Sequence, residues 1–287
     1  MRRRSEAPFA DTAILVLLLL VAAFSLLPMA HVLAKSFSSE IAITRGAVNL
    51  IPVEFQLQAY RLVFRSRRMI TSLLYTVYLT VVGTSVNVLI TALGAYPLAQ
   101  KSLPGRRVIW FFIIATMFFG GGLIPLFLVV RGLGLLDTVW AMILPTTVST
   151  FNLILMKTFF QGLPDSLIES ARMDGCPELL ILFRIIMPLS APIIATLSLF
   201  YGVAHWNEYF QALIYMTSPE KFPIQLMLQR MIGNSEAFDI PVSVGQILPV
   251  EGIKAASVFV VIFPVLIVFP FLQRYFTKGA LLGSIKE

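Results

Sequence analysis

Two stretches of the chain carry residue types whose spacing could do chemistry. In "YGVAHWNEYF", residues 201–210, Tyr201, His205, Glu208 and Tyr209 recur at intervals that share one helical face, with Trp206 and Asn207 beside it. Three uses fit this stripe. His205 and Glu208, three residues apart, could exchange a proton as an intramembrane enzyme would require, although no nucleophile or metal partner accompanies them. Polar groups set between aromatic rings also suit a sugar, which offers hydroxyls to hydrogen-bonding side chains and flat C–H faces to rings. The third use is joining helices, where a hydrogen bond inside a bilayer is worth about 0.6–2 kcal/mol. Asn87, Asn152 and His31 read as joints of this last kind. No His, Cys or carboxylate set has metal-ligand spacing, and Cys176, alone in the chain, cannot form an internal disulfide.

The second stretch is "ESARMDGCPELLILFRIIMP", residues 169–188. Ser166 and Glu169 match a capping box, which predicts a helix start. Gly175 is a natural helix stop and Pro177 suits the first turn of the next helix, which should run to about Met187 and enter the membrane at Pro188. Leu167, Ile168 and Ala171 fall near one another on one face of the first helix. A short helix with both ends fixed could dock into a groove of another protein, or serve as an ordinary capped loop. Neither stretch binds nucleotide phosphate. A P-loop needs Gly, four residues, Gly, Lys and Ser or Thr, and Lys35, Lys101 and Lys157, the lysines followed by Ser or Thr, are not preceded by glycine.

The elements that must position these stretches are membrane helices. Of the 287 residues, 57% are hydrophobic and 13% charged, against about 25% charged in soluble domains. Mean hydropathy is +0.85. Crossing a bilayer takes roughly 20 apolar helical residues, and six stretches qualify: about Thr12–Ala34, Ile70–Ala99, Val108–Val130, Thr138–Phe160, Pro188–Tyr215 and Lys254–Phe276. The first is too long for a signal-peptide core and reads as a retained anchor. Gly120, Gly121 and Gly122 lie inside the third, where close helix packing or a kink with Pro125 is expected. The expected organisation is a tail (1–11), a first span (12–34), an extracytoplasmic loop (35–69), a core of five spans (70–276) with a crosswise helix at about 166–175, and a tail (277–287).

Charge orients the bundle. Arg2, Arg3 and Arg4 place the N-terminus in the cytoplasm, and Arg274, Lys278 and Lys286 place the C-terminus there too. Lys101, Arg106 and Arg107 then fall in an inner loop. Arg61, Arg65, Arg67 and Arg68 fall on the wrong side, where "AYRLVFRSRR" could lie along the interface. The net charge of +7 is dispersed among span flanks, which argues against nucleic acid.

The second stretch also resembles a known signature. Glu, two small residues, three others, Gly, nine others, then Ile-x-Leu-Pro marks the permease subunits of ATP-binding-cassette (ABC) importers. Here it reads Glu169, Ser170, Ala171, Gly175, Ile185, Met187 and Pro188, with Ser for the usual second-position Ala and Met for Leu. "LIPLFLVVRGLGLLDTVWAMILP", "HWNEYF" and "KGALLGSIKE" are similar to the carbohydrate branch, in particular the second permease of maltose-type importers. The resemblance implies an all-α, six-span, type I importer fold in the bacterial cytoplasmic membrane. Residues 166–175 would form a coupling helix seated in a cleft of a cytoplasmic ATPase, with Glu169, Ser170, Ala171, Arg172, Asp174, Gly175, Ile185 and Pro188 carrying the coupling. It further implies a related permease partner, two ATPase subunits holding ATP and Mg, and an extracytoplasmic binding protein docking on the outer surface, including the loop from about Thr217 to Gly252. No cofactor is expected on this chain. The substrate path would include Tyr201, His205, Trp206, Asn207, Glu208 and Tyr209. An importer for another solute, such as peptides or phosphate, is the alternative within transport. A channel or secondary transporter is disfavoured by the scarcity of in-span charges and of internal repeats.

Overall fold

The computed structural model describes residues 8–233 and 249–284. Arg2, Arg3, Arg4, Lys286, the side chains of Arg274 and Lys278, and much of the Thr217–Gly252 loop lie outside the described residues. Every regular element within them is helical. They fall into two compact units, one built from the chain up to Met69 with Leu228–Phe263, the other from Ile70–Met227 with the chain from Pro264 onward.

In the first unit, α1 (Pro8–Ser36) buries none of its apolar stretch. A helix apolar all round is stable with that surface exposed only in lipid or against another membrane helix. The Ser39 hydroxyl caps the short α2 (Glu40–Thr44) by accepting from the Ala42 amide at 3.1 Å. In α3 (Gln58–Arg65), Ala59 and Val63 turn inward while Arg61, Phe64 and Arg65 stay exposed. This sidedness fits an interfacial helix.

The second unit contains the bent elements. The unbroken helix α4 (Arg67–Ala99) enters it and is long and apolar enough to span a membrane. Next come α5 (Arg106–Phe118) and α6 (Leu123–Gly132), bent by 114° at the glycine run. Of the two expectations there, close packing or a kink with Pro125, the kink is the one found: a Cβ added at Gly120 or Gly121 would meet nothing within 4 Å, and one at Gly122 would meet only Pro125, at 3.8 Å. The chain uses Gly122 at φ +84°, a backbone conformation that favours glycine. The helices α7 (Val139–Thr146) and α8 (Thr150–Gln161) are bent by 59°. Pro145 contributes no N–H at that break.

The connection to the fifth span runs through α9 (Asp165–Met173). The following helix, α10 (Glu178–Leu189), contains a wide π turn at Leu182–Ile186 and bends by 86° into α11 (Ala191–Trp206). The expected continuous stretch Pro188–Tyr215 is therefore corrected: α11 ends at Trp206, and α12 (Phe210–Tyr215) is a separate short helix. After α13 (Ile224–Gly233), α14 (Val250–Ser284) provides the last apolar helix. Three helices could cross a membrane alone, and six spans result when each bent pair counts as one. The core of this unit joins Val88, Ala92, Ala95 and Tyr96 of α4 to Leu153, Met156 and Phe160 of α8 and to Leu197 and Tyr201 of α11.

Candidate functional site

The helix α9 starts differently from the capping box expected in the sequence. Pro164 occupies the cap position in extended backbone, with no side-chain cap bond, and its carbonyl accepts from the Leu167 amide at 3.2 Å. Ser166 lies inside the first turn, where its carbonyl accepts from the Ser170 hydroxyl at 2.8 Å. Asp165 takes over the electrostatic role: its carboxylate stands in the first turn, where negative charge favours a helix start, and pairs with Lys101 at 2.9 Å.

The other end is closed by Gly175 at φ +77°. The Cys176 amide donates to the Ala171 carbonyl at 3.0 Å and the Gly175 amide to the Arg172 carbonyl at 3.0 Å. This paired arrangement satisfies the last carbonyls of the helix. Pro177 then sits at the cap of α10 rather than inside its first turn.

The faces of α9 also divide in a way that spacing did not anticipate. Ile168 and Ala171 are buried in the cluster formed with Leu98, Phe160, Ile181 and Ile186. The expected common face of Leu167, Ile168 and Ala171 is thus corrected in part: two of these residues key the helix into its own bundle, while Leu167 remains exposed. Met173 is 88% exposed, and Glu169, Ser170 and Asp174 are exposed with it. Ile185 is half-buried against the same cluster, and Pro188 is exposed just before the bend into α11.

Arg172 turns back toward the bundle. Its Nε donates to Oε1 of Glu178 at 2.6 Å and its Nη2 to Oε2 at 3.2 Å and to Gln100 Oε1 at 3.3 Å. The Tyr96 hydroxyl donates to Oε2 of Glu178 at 2.5 Å. The Glu178 carboxylate, by accepting these bonds, pushes Arg172 above its already high ordinary pKa. A cleft of about 200 Å³ lies behind the helix, lined by Tyr96, Gln100, Lys101, Asp165, Glu169 and Arg172. Sequence reasoning missed Tyr96, Gln100 and Glu178. Of these, only Glu178 carried a signal, as a first-turn acid one residue past Pro177.

The polar stripe is split by the end of α11 at Trp206. The expected common face of Tyr201, His205, Glu208 and Tyr209 is therefore corrected. Tyr201 and His205 are buried on α11, whereas Glu208 and Tyr209 lie beyond its end. The Tyr201 hydroxyl shares a 2.8 Å bond with Thr91 and accepts from the Ser149 amide at 3.1 Å. Asn87 Nδ2 lies 3.1 Å from His205 Nε2 and donates to the Thr146 carbonyl at 3.3 Å. These side chains occupy backbone groups freed by the break between α7 and α8, a necessity for non-helical backbone at membrane depth. Gly83 makes room: a Cβ there would come within 2.5 Å of His205 Nε2. Trp206 is also buried. Asn207 is exposed and accepts from Gln225 at 3.3 Å, and Glu208 Oε1 accepts from the Gln211 amide at 3.0 Å. Of the three expected joints, Asn87 works as described, the His31 ring lies 2.7 Å from the Asn49 carbonyl, and Asn152 is buried.

At the opposite end of the fourth span, Asp137 organises a second connection. It accepts from the Thr217 amide (3.1 Å), the Ser218 amide (2.9 Å), the Ser218 hydroxyl (2.7 Å) and Lys221 Nζ (2.9 Å). Lys221 also donates to the Asp137 carbonyl at 2.6 Å. Burial alone would raise the Asp137 pKa, but the bonds from Ser218, Lys221 and Thr217 outweigh it and hold the carboxyl well below the usual range.

Residues 98–281 match the family described as binding-protein-dependent transport system inner membrane component. The chain is 46% identical to the polygalacturonan/rhamnogalacturonan transport system permease protein YtcP of Bacillus subtilis (strain 168), over 96% of this chain and 98% of that protein. It is 42% identical to Protein LplC of the same organism, over 93% and 91%. A solved structure, a bacterial ABC transporter involved in the import of the acidic polysaccharide alginate, contains a chain that superposes with a TM-score of 0.86 at 35% identity, covering 96% of this chain and 99% of that one.

Proposed function

This chain belongs to the binding-protein-dependent transport system inner membrane component family, and from that premise we propose how it works: as the permease of an ABC importer that carries a carbohydrate, an oligosaccharide in particular, across the cytoplasmic membrane by alternating access. The observation that carries the mechanism is the construction of α9. Its apolar face is locked into the bundle through Ile168 and Ala171, its end is closed at Gly175, and its free face presents Leu167, Glu169, Ser170, Met173 and Asp174. A peg so held moves with the bundle instead of flexing against it.

In this reading α9 is the coupling helix. The free face meets a cleft of a cytoplasmic ATPase, and closure of two ATPase copies on ATP and Mg drives the bundle from inward-facing to outward-facing. Glu169, Ser170, Asp174 and Gly175 act at the contact. Ala171, Arg172, Ile185 and Pro188 tie the contact to the spans. A second, related permease completes the pathway, and both termini of this chain lie in the cytoplasm. An extracytoplasmic binding protein delivers the sugar to the opposite surface. Within the stripe, Tyr201 and His205 hold the broken fourth span together. This leaves Asn207, Glu208 and Tyr209, at the end of α11, as the groups best placed for sugar contact.

The test is made on the purified complex. Glu169→Ala and Gly175→Ala should each weaken stimulation of ATPase activity by the binding protein and lower uptake while the subunits stay assembled; normal coupling in both would sink the mechanism. A panel of neutral oligosaccharides, acidic oligosaccharides, peptides and phosphate settles the solute, and preferential uptake of peptide or phosphate would overturn the carbohydrate assignment.

A further inference from the structure

Lys157 sits within α8, inside the fourth span, yet no carboxylate among the described residues pairs with it. An ionisable side chain in a span needs a reason to be there. Its ammonium stands over the ring of Trp110 on α5, 5.1 Å from the centroid. Arg106 lies one turn before Trp110 on α5, on the same side of that helix. Arg106 also has no acidic partner among the described residues. Two cations and a tryptophan therefore converge without an anion between them.

The surroundings identify what the anion would be. Arg106 opens α5 and Lys157 is one turn from the end of α8 at Gln161, so both stand where the spans meet water. No residue of α5 is buried, and Val108, Ile109, Phe111 and Phe112 are exposed along it. Directly below the charges lies an apolar flank fit for hydrocarbon chains. Tryptophan is favoured at this depth, and basic sites between membrane helices at such a level take anionic headgroups.

We propose that Arg106, Lys157 and Trp110 form a binding site for an anionic phospholipid, its phosphate between the two cations and its chains along the exposed flank of α5. The site requires only that these helices span a membrane, so it stands or falls separately from the coupling mechanism above.

Native mass spectrometry of the intact complex, titrated with phosphatidylglycerol and phosphatidylcholine in the absence of nucleotide, provides the test. Phosphatidylglycerol should be retained in preference to phosphatidylcholine. Lys157→Met and Arg106→Gln should each lower its retention about fivefold. Lys157→Arg should preserve it and guard against misfolding of the Met variant, and Arg131→Gln, a cation at the other end of the third span, should leave it unchanged. Equal retention of the two lipids, undiminished binding in both charge-removing variants, or an equal loss in Arg131→Gln would overturn the proposal. So would displacement of the lipid by inorganic phosphate or a uronic acid, which would make this a site for a soluble anion.

Discussion

Two connections flank the fourth span, one at Asp137 before it and one from α9 to α10 after it; each contains a carboxylate, and the two carboxylates are held differently. Asp137 gathers two backbone amides, a hydroxyl and a lysine, and its side chain is only 23% exposed. Arg172 and Glu178 form a two-bond pair with their side chains 38% and 53% exposed. The first arrangement is a fixed clasp, because a carboxylate accepting several bonds out of water is costly to release. The second is a joint: water can replace either partner at little cost, as for most exposed ion pairs. On the mechanism proposed above, Ile168 and Ala171 carry α9 with the bundle, and the exposed pair lets its charged side chains re-form their bonds as it moves.

The largest effect should come from the clasp. Asp137→Ala removes an acceptor for four donor groups and places alanine at φ +59°. It should cost about 3–5 kcal/mol, from lost charged hydrogen bonds and left-handed strain. Thermal unfolding in detergent measures this, and a cost no greater than that of breaking the Arg172–Glu178 pair would erase the contrast. Asp137→Asn, which tolerates the backbone, should cost less.

The clasp also has an acid signature. Because the folded pKa of Asp137 is depressed, its contribution is fully present above the ordinary aspartate value of about 3.9 and is lost as pH falls through the lower folded value. Unfolding midpoints taken from about pH 6 to pH 3 should therefore fall less steeply with acid in Asp137→Asn than in the parent, once other carboxylates are accounted for by subtraction. Parallel curves would show that Asp137 contributes no acid dependence.

At the end of α9, Gly175→Ala should lower stability by about 1–2 kcal/mol, since a Cβ at φ +77° is strained even though nothing crowds it. Glu178→Gln should cost least, about 0.5 kcal/mol, while lowering uptake per ATP hydrolysed. The charge-reversed pair Arg172→Glu with Glu178→Arg should restore part of that ratio. Moderate salt should weaken this joint more than the clasp, by screening its exposed charges. A Glu178→Gln variant with unchanged coupling would reduce the joint to an ordinary surface pair.

Much of the membrane architecture was legible because apolar length and glycine position act locally. The stop at Gly175 depends on one residue's backbone freedom, and the apolar runs depend only on composition. The start of α9 was misread at Ser166 because the capping pattern says nothing about a competing Pro164 two residues earlier. The stripe from Tyr201 to Tyr209 was misread because helical spacing assumes that the helix continues, and α11 ends at Trp206. The glycines at 120–122 could have marked either packing or a break, and only their empty surroundings distinguish the two.

The amino-acid sequence by itself determined that the chain is helical and membrane-embedded, and that a short charged helix stopped by Gly175 interrupts it. These follow from hydropathy and backbone chemistry acting within a few turns. Only the tertiary structure decided that Arg172 faces Glu178 and Tyr96, that Asp137 holds Ser218 and Lys221 some eighty residues away, and that Tyr201 and Asn87 serve the broken fourth span. Partnerships of this kind depend on which helices pack side by side, and local periodicity contains no record of that choice.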